Sequence, residues 1–197
     1  MTAQDARLSR INNKTPGMTI LSAAEEWSGP RSFDGEIRQM RQEDLPLIEW
    51  GCEYLRYRRV YREVFRNSLN GKSILWVAVT STGEMVGQVF INVNPTHAYK
   101  LIPSQSMLIS SFRVKRDYRG CGIGSSLLKT CERCAREREI GFLWLNCSKS
   151  NQNALTFYRN RGFEIFRSDP GDWQYIDHNG NIRREVDPAW SLCKRIG

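Results

Sequence analysis

A glycine-rich segment between a predicted strand and a predicted helix constrains the fold of this chain more than any other feature. It reads Arg-Gly-Cys-Gly-Ile-Gly-Ser over 119–125, after an apolar run at 107–114 and before an amphipathic helical pattern at 125–138. The first N–H groups of a helix have no partner inside the helix, and the positive end of the helix dipole lies there. Glycine adopts positive φ without strain and lets a ligand approach the backbone. The segment therefore predicts a cradle for a phosphate or pyrophosphate, and the alternative is a plain tight turn.

Two widespread phosphate-binding motifs do not fit this segment. A Walker loop ends in Gly-Lys followed by Ser or Thr, and no lysine stands there. A dinucleotide fingerprint has the pattern G-x-G-x-x-G, and after Gly122 and Gly124 the third position is Leu127. The basic side chains that add positive charge near the segment are Arg113, Lys115, Arg116 and Arg119.

Hydrophobic patterning predicts a mixed chain of short strands and a few helices. Strands are predicted at 37–40, 74–80, 85–94, 107–114, 142–147, 163–166, 173–178 and 190–196, and helices at 125–138, 153–160 and, as one long or two short helices, 44–69. Asp44 before Leu45-Pro46 is the expected cap of the first helix. Turns are expected at 81–84 and 179–181, and a loop at 95–103. The predicted class is α/β of the α+β type, rich in antiparallel hairpins, with one domain over 35–197 and a mobile tail or strap over 1–34.

The net charge favours a polyanionic partner without choosing one. The chain has 29 Lys and Arg against 21 Asp and Glu, a formal charge of +8. This balance suits nucleic acid, an anionic membrane surface or a phosphate-rich small ligand. A nucleic-acid interface needs a basic stripe with stacking aromatics, and the segment from Tyr57 to Arg62 is a weak example, so nucleic acid is the least favoured of these. The longest apolar run, Ile74 to Val79, is far shorter than the ~20 residues of a membrane span, and no secretory signal is recognisable, so a cytoplasmic location is expected.

The cysteines are expected to be reduced thiols. They are Cys52, Cys121, Cys131, Cys134, Cys147 and Cys193. Cys131-x-x-Cys134 has neither a second such pair nor a histidine cluster beside it, so no metal site is predicted. The two side chains are better explained as small apolar residues on one face of a helix.

Two motifs resemble signatures of the GNAT superfamily of acyl-CoA-dependent N-acyltransferases. Arg119-x-x-Gly122-x-Gly124 matches the R/Q-x-x-G-x-G/A signature. Asn151-x-x-Ala154-x-x-x-Tyr158, followed by Arg161-Gly162-Phe163, matches a second signature at the spacing of the family. The resemblance extends over about 35–196, since the order of strands and helices also fits. It implies a single domain with a mixed, mostly antiparallel central sheet of about seven strands, flanked by helices and splayed between the fourth and fifth strands.

The resemblance also implies a reaction and the residues that serve it. The enzyme would be an N-acyltransferase (EC 2.3.1.-) that moves an acyl group, with acetyl favoured, from acyl-CoA to a primary amine by direct attack in a ternary complex. The pyrophosphate would be held by Arg119, Gly120, Cys121, Gly122, Ile123, Gly124 and Ser125, the pantetheine arm by the backbone of Phe112, Arg113 and Val114, and the cofactor arm also by Asn151. Tyr158 would act as the general acid for the leaving thiolate. A phenol with a pKa of about 10 is a proton donor at neutral pH, and the alternative is a core aromatic beside Phe157.

The chain departs from the family at the general base. Many members have Glu or Asp on the strand before the glycine-rich loop, and 106–112 contains no carboxylate. The alternatives are Glu53, Glu63, Asp177, His178 or Glu185, or a water wire that ends at Ser110 or a backbone carbonyl. An α-amine, with a pKa of about 8, would need less help than a lysine at about 10.4. The sequence assigns no base.

The sequence leaves turnover, the acyl donor, the acceptor and the oligomeric state undecided. A CoA-binding module without turnover is the alternative to an enzyme, and a longer fatty acyl donor is the alternative to acetyl. The acceptor is an amine-bearing small molecule, peptide or protein. Cys147 as a covalent acyl carrier is disfavoured because it lies in the middle of a strand. A homodimer is considered as a partner arrangement, and the sequence does not decide the oligomeric state.

Overall fold

A seven-stranded sheet is the centre of this computed structural model, which describes residues 33–93 and 105–197. The strands are β1 (Gly35–Gln39), β2 (Ser73–Thr80), β3 (Met85–Val93), β4 (Ser106–Val114), β5 (Phe142–Ser148), β6 (Glu164–Asp169), β7 (Asp172–Ile176), β8 (Ile182–Val186) and β9 (Ala189–Arg195). Their order in the main sheet is β1-β2-β3-β4-β5-β9-β6, and β7 and β8 form a second, two-stranded sheet. Most of the tail expected at 1–34, and the loop expected at 95–103, lie outside the described residues.

Helices cover both faces of the main sheet. They are α1 (Arg58–Leu69), α2 (Ile123–Glu137) and α3 (Gln152–Arg159), with short 3-10 turns at Gln42–Asp44, Leu47–Glu49, Leu55–Tyr57 and Arg116–Tyr118. One apolar cluster joins the sheet to α2 through Leu127, Leu128 and Cys131. The other joins the opposite face to α1 through Tyr61 and Phe65. The expected mixed fold with flanking helices is confirmed. None of the described helices is long and apolar enough to cross a bilayer.

The prediction of one long or two short helices over 44–69 is wrong in its first half, where the chain forms only short 3-10 turns. Trp50, Gly51 and Cys52 all have positive φ, at 47°, 63° and 80°, and this left-handed stretch cannot continue a right-handed helix. Asp44 therefore does not cap a long helix. Its carboxylate accepts two hydrogen bonds from the Arg38 guanidinium, at 2.7 and 2.9 Å, and one from the Arg41 N–H at 2.7 Å. The result is a chain of short turns that leads into α1.

The sheet splits between β4 and β5. All neighbouring strands of the main sheet are antiparallel except β4 and β5, which are parallel. These two strands pair only over residues 106–109 and 142–145. Beyond Ile109, β4 pairs with β3 alone. Ser111 has φ 48°, and the register of β4 against β3 shifts between Gln88 and Phe90, as in a β-bulge. The splay expected between the fourth and fifth strands is thus confirmed, and it opens an edge of β4 over 110–114.

The β7–β8 hairpin was only half predicted. The expected turn at 179–181 is present, because the Asp177 carboxylate accepts from the N–H groups of Asn179 and Asn181, both at 2.9 Å. The Arg183 guanidinium, with backbone help, lowers the pKa of Asp177 to about 2. The strand after the turn, β8, was not expected, since its Arg-Arg-Glu core lacks an apolar alternation.

Candidate active site

The strand-to-helix junction forms the predicted cradle. Gly120 and Gly122 have φ of 80° and 83°, and α2 begins at the next residue, Ile123. The first backbone bond of the helix runs from the Ser126 N–H to the Gly122 oxygen at 3.0 Å, so the preceding N–H groups lie before the hydrogen-bonded ladder. A Cβ added at Gly120 or Gly122 would meet nothing within 4 Å. The backbone is therefore open to a ligand at the positive end of α2.

A cavity of about 580 Å³ starts at this cradle and is called the loop cavity here. Its lining includes Arg119, Gly120, Gly122, Ile123, Gly124 and Ser125, together with Phe112, Arg113 and Val114 of β4. Cys121, expected with them, instead lines a separate cavity beside Asp34 and Glu84. The Arg119 Nε donates to the Val114 oxygen at 3.1 Å, so this side chain ties the loop to the end of β4.

Arg161 is a cavity residue to which the sequence analysis gave no role. Its guanidinium donates to the Ser125 Oγ at 2.7 Å and to the Phe157 oxygen at 2.9 Å, and it lies 3.8 Å from the centre of the Phe157 ring. It therefore adds a cation beside the start of α2. The sequence did contain a signal for this residue, because Arg161 belongs to the second GNAT-like motif at 151–163.

A second cavity, of about 350 Å³, lies on the α1 side of β4 and is called the aromatic cavity here. Its walls include Tyr54, Tyr57, Tyr61, Trp173, Ser110 and Asn146. Tyr57 stacks on Trp173 of the β7–β8 hairpin with centroids 6.0 Å apart, and on Tyr54 at 6.5 Å. Six residues line both cavities: Tyr54, Phe112, Arg113, Asn151, Ala154 and Tyr158. The two cavities therefore meet at the open edge of β4.

Tyr158 lies at this meeting point, on α3. It is 6% exposed, and its ring packs between Phe112 at 5.9 Å and Phe163 at 5.7 Å. Burial raises the pKa of the phenol, and the nearby Cys147 and Cys131 add to that rise, so the hydroxyl keeps its proton at neutral pH. The residue is thus a buried aromatic that keeps its hydroxyl proton and lines both cavities.

Asn151 has a structural task as well as a place in the cleft. It is the N-cap of α3, and its Oδ1 accepts from the Ala154 N–H at 3.0 Å. The cap fixes the start of the helix that presents Tyr158. Asn151 also lines both cavities, a position that is compatible with the predicted contact to the cofactor arm. That contact stays a prediction.

Arg113 directs its side chain toward α1. The guanidinium lies 3.7 Å from the centre of the Tyr54 ring and donates to the Tyr61 hydroxyl. The sequence predicted a backbone contact for Arg113 and a positive charge near the glycine-rich segment, but the side chain lies against tyrosines on the α1 side. The aromatic partners could not be anticipated, since Tyr61 is 52 residues away in the chain.

No carboxylate or imidazole lines either cavity among the described residues. Glu53 and Glu63 are exposed on the surface, and Asp177 is held by Arg183. Glu185 accepts from the Tyr175 hydroxyl at 3.1 Å and pairs with Arg56 at 3.8 Å. Of the alternatives weighed from sequence, Ser110 is the one that lines the aromatic cavity.

Cys147 also lines the aromatic cavity, as a thiol. It is 4% exposed, and burial raises its pKa. Since the thiolate is the nucleophilic form, this residue is poorly suited to take up an acyl group.

We expect six titratable thiols and no bound zinc in the purified protein. All six cysteines lie in the described parts of the chain and none is in a disulfide, while no group of three or more metal-ligating side chains occurs there. Cys131 and Cys134 pack in the core face of α2, where burial raises the pKa of both. Thiol titration of denatured, unreduced protein and a metal assay would check this. Stoichiometric zinc, or thiols that appear only after reduction, would contradict it.

Comparison with known proteins places this geometry in a family context. The model of the family described as "Acetyltransferase (GNAT) family" matches residues 36–163. Streptothricin acetyltransferase of Streptomyces lavendulae is 30% identical over 99 residues, which cover 50% of this chain and 49% of that protein. The chain spans about half the length of the curated relatives it matches.

Solved structures share the fold at low sequence identity. The ribosomal-protein-S18-alanine N-acetyltransferase of Escherichia coli has a TM-score of 0.61 at 16% identity, covering 83% of this chain and 94% of its own. Naa20 of Chaetomium thermophilum, solved with a bisubstrate analogue, has a TM-score of 0.62 at 22% identity, covering 82% and 86%. The resemblance found in the sequence is confirmed at the level of family and fold.

Proposed function

Because this chain belongs to the acetyltransferase (GNAT) family, we propose that it transfers an acyl group, acetyl in the first place, from acyl-CoA to a primary amine. The observation that supports this most is the continuous cleft. It begins at the glycine cradle of α2, passes the open edge of β4 and reaches the aromatic cavity, with Tyr158 at the junction. Such a cleft would let two substrates bind on either side of one point, as a direct attack in a ternary complex requires.

The residues of the loop cavity suit the co-substrate. The N–H groups at the start of α2 and the free space above Gly120 and Gly122 fit a pyrophosphate. Arg161 adds a second source of positive charge. The edge of β4 over 110–114 lacks a partner strand on the β5 side, and its backbone would pair with the amides of the pantetheine arm.

Tyr158 is the proposed general acid. It would protonate the departing thiolate, a task that suits a buried phenol that holds its proton. A base is not needed among the cleft residues if the amine arrives uncharged, which is easier for an α-amine than for a lysine side chain.

The acceptor class is broad at this level. The names of one relative and one structural neighbour give streptothricin and a ribosomal-protein alanine as acetyl acceptors of those proteins. We propose an amine-bearing small molecule, peptide or protein as the acceptor, in the cytoplasm, and nucleic acid is not proposed as a partner. A homodimer remains an open prediction from sequence.

The test is thiol release from acetyl-CoA with a panel of α-amines, lysine-type amines and polyamines. We expect at least one amine to accelerate release above hydrolysis without amine, and mass spectrometry to find that amine acetylated. Parallel runs with propionyl-CoA and a long-chain acyl-CoA determine the preferred donor. Tight acetyl-CoA binding without acceleration by any amine would favour a CoA-binding module instead.

A further inference from the structure

The described side chains that line the aromatic cavity include a positive charge and no negative charge. Of the described residues that line it, Arg113 alone is charged, and the others are aromatic, aliphatic, hydroxyl, thiol or amide side chains. The guanidinium bonds to the Tyr61 oxygen and faces the rings of Trp50, Tyr54 and Tyr61, with centroids at 5.7, 3.7 and 5.6 Å. No described carboxylate pairs with it, and its Nη1 is buried without a hydrogen-bond partner. Aromatic faces stabilise a cation but do not cancel its charge.

The aromatic wall offers little to a second cation. The Tyr54 ring already faces Arg113, and the Tyr57 ring already faces Arg56 at 4.8 Å. A ligand ammonium placed against these rings would meet the repulsion of a guanidinium without a lining carboxylate to offset it. The cavity is therefore unfavourable to polycationic acceptors.

Arg113 lies on the face of the sheet away from the cradle. It pairs with Gln88 across β3 and β4, next to the Gly87–Val114 pair. A Cβ at Gly87 would touch Ile123 and Leu127 of α2, at 3.1 and 3.2 Å. Because successive strand residues face opposite sides, Arg113 faces α1, whereas the cradle is at the start of α2. Arg113 lines both cavities, but its guanidinium lies against the α1 side, where we place the acceptor, and not at the cradle.

We propose that the aromatic cavity selects its amine by charge: the acceptor is a small amine on a flat apolar body with a carboxylate, and Arg113 is the residue that recognises that carboxylate. Acceptors with a second ammonium are disfavoured. This inference rests on the proposed function, since it concerns the acceptor of the same reaction. Under this proposal, polyamines are poor acceptors for this protein.

Three amines that differ in charge at the far end test the charge preference of the aromatic cavity. They are para-aminomethylbenzoate, benzylamine and para-xylylenediamine, which share a benzylic amine and differ at the far end by one negative charge, no charge or one positive charge. Affinity is measured by calorimetry with the protein saturated with CoA. We expect the carboxylate probe to bind tightest and the diamine weakest, with a step of at least about threefold per unit of charge at the far end. Equal affinities, the reverse order, or no binding of any probe at millimolar concentration would overturn the proposal.

Variants identify the residue responsible. Arg113→Gln is expected to remove the order of affinities among the three probes, whereas Arg113→Lys keeps that order with smaller steps. Arg56→Gln is the matched control, since Arg56 also lies over a tyrosine of this wall but pairs with Glu185 at 3.8 Å and lines neither cavity. An Arg113→Gln protein that keeps the order, or loses only acetyl-CoA affinity, contradicts the proposal. If that variant does not fold, the wild-type order and Arg113→Lys decide it.

Turnover is recorded separately from binding. Thiol release from acetyl-CoA is followed with the same probes and with the broad amine panel. Failure of every amine to support release would count against acyl transfer, while the binding order tests charge selection alone. The two proposals therefore fail by different measurements.

Discussion

The Tyr158→Phe protein is expected to lose roughly 10²–10⁴-fold in kcat while its affinity for acetyl-CoA stays nearly unchanged. The hydroxyl would act only when the thiolate departs, so its loss raises the barrier without weakening the ground-state complex. Phenylalanine keeps the ring between Phe112 and Phe163, so packing and melting temperature should change little. Steady-state kinetics with the best amine of the panel, together with calorimetry for acetyl-CoA, measure both quantities.

A second buried tyrosine supplies the control. Tyr175 is 7% exposed, donates to Glu185 at 3.1 Å and lines neither cavity, and burial with this bond raises its pKa to about 12. Tyr175→Phe removes the same atom from a comparable environment, and kcat should stay near the wild-type value. Wild-type turnover by Tyr158→Phe would show that Tyr158 serves packing alone and that the acid is elsewhere.

Gly122→Glu is expected to weaken acetyl-CoA binding at least tenfold, or about 1.4 kcal/mol. Gly122 has φ 83°, a conformation that strains any other residue, and it is the N-cap of α2. A glutamate there would place its carboxylate at the free N–H groups and repel the pyrophosphate. Calorimetry on the folded variant, verified by circular dichroism, measures the loss.

Gly71→Glu is the matched control for this substitution. Gly71 has φ 71°, a Cβ there would also meet nothing within 4 Å, and the residue follows α1 and lines neither cavity. Backbone strain and added charge are therefore similar, and only the position differs. We expect its acetyl-CoA affinity to equal that of the wild type. An unchanged affinity in folded Gly122→Glu would remove the pyrophosphate from this loop.

The cradle could be predicted from sequence because its causes are local. Glycines with positive φ and the start of an amphipathic helix lie within a few residues of each other, and the backbone alone forms the site. The splay between β4 and β5 could not be predicted from local sequence in the same way. It depends on how 106–109 and 142–145 pair across more than thirty residues, and only the family resemblance, not the hydropathy pattern, implied it.

Two features escaped prediction for identifiable physical reasons. The left-handed stretch from Trp50 to Cys52 breaks the helical pattern, and only Gly51 within it is a residue type that favours positive φ, so a single glycine was the whole signal. The environment of Arg113 depends on contacts with Tyr54 and Tyr61, which only the packing of α1 on the sheet creates. Sequence periodicity describes which faces are apolar and does not state which side chains meet.

The β7–β8 hairpin lies outside the hydrogen-bonded ladder of the main sheet. Its flanking strands β6 and β9 pair directly with each other, and the Asp187 N–H bonds to the Gly171 oxygen at 3.0 Å across its base. The hairpin nevertheless supplies Trp173 to the aromatic cavity. A change in this hairpin would therefore reshape the aromatic cavity without breaking a backbone pair of the main sheet. Under the proposed function, we expect exchange of this one hairpin to alter which amine is accepted while the glycine cradle keeps its co-substrate.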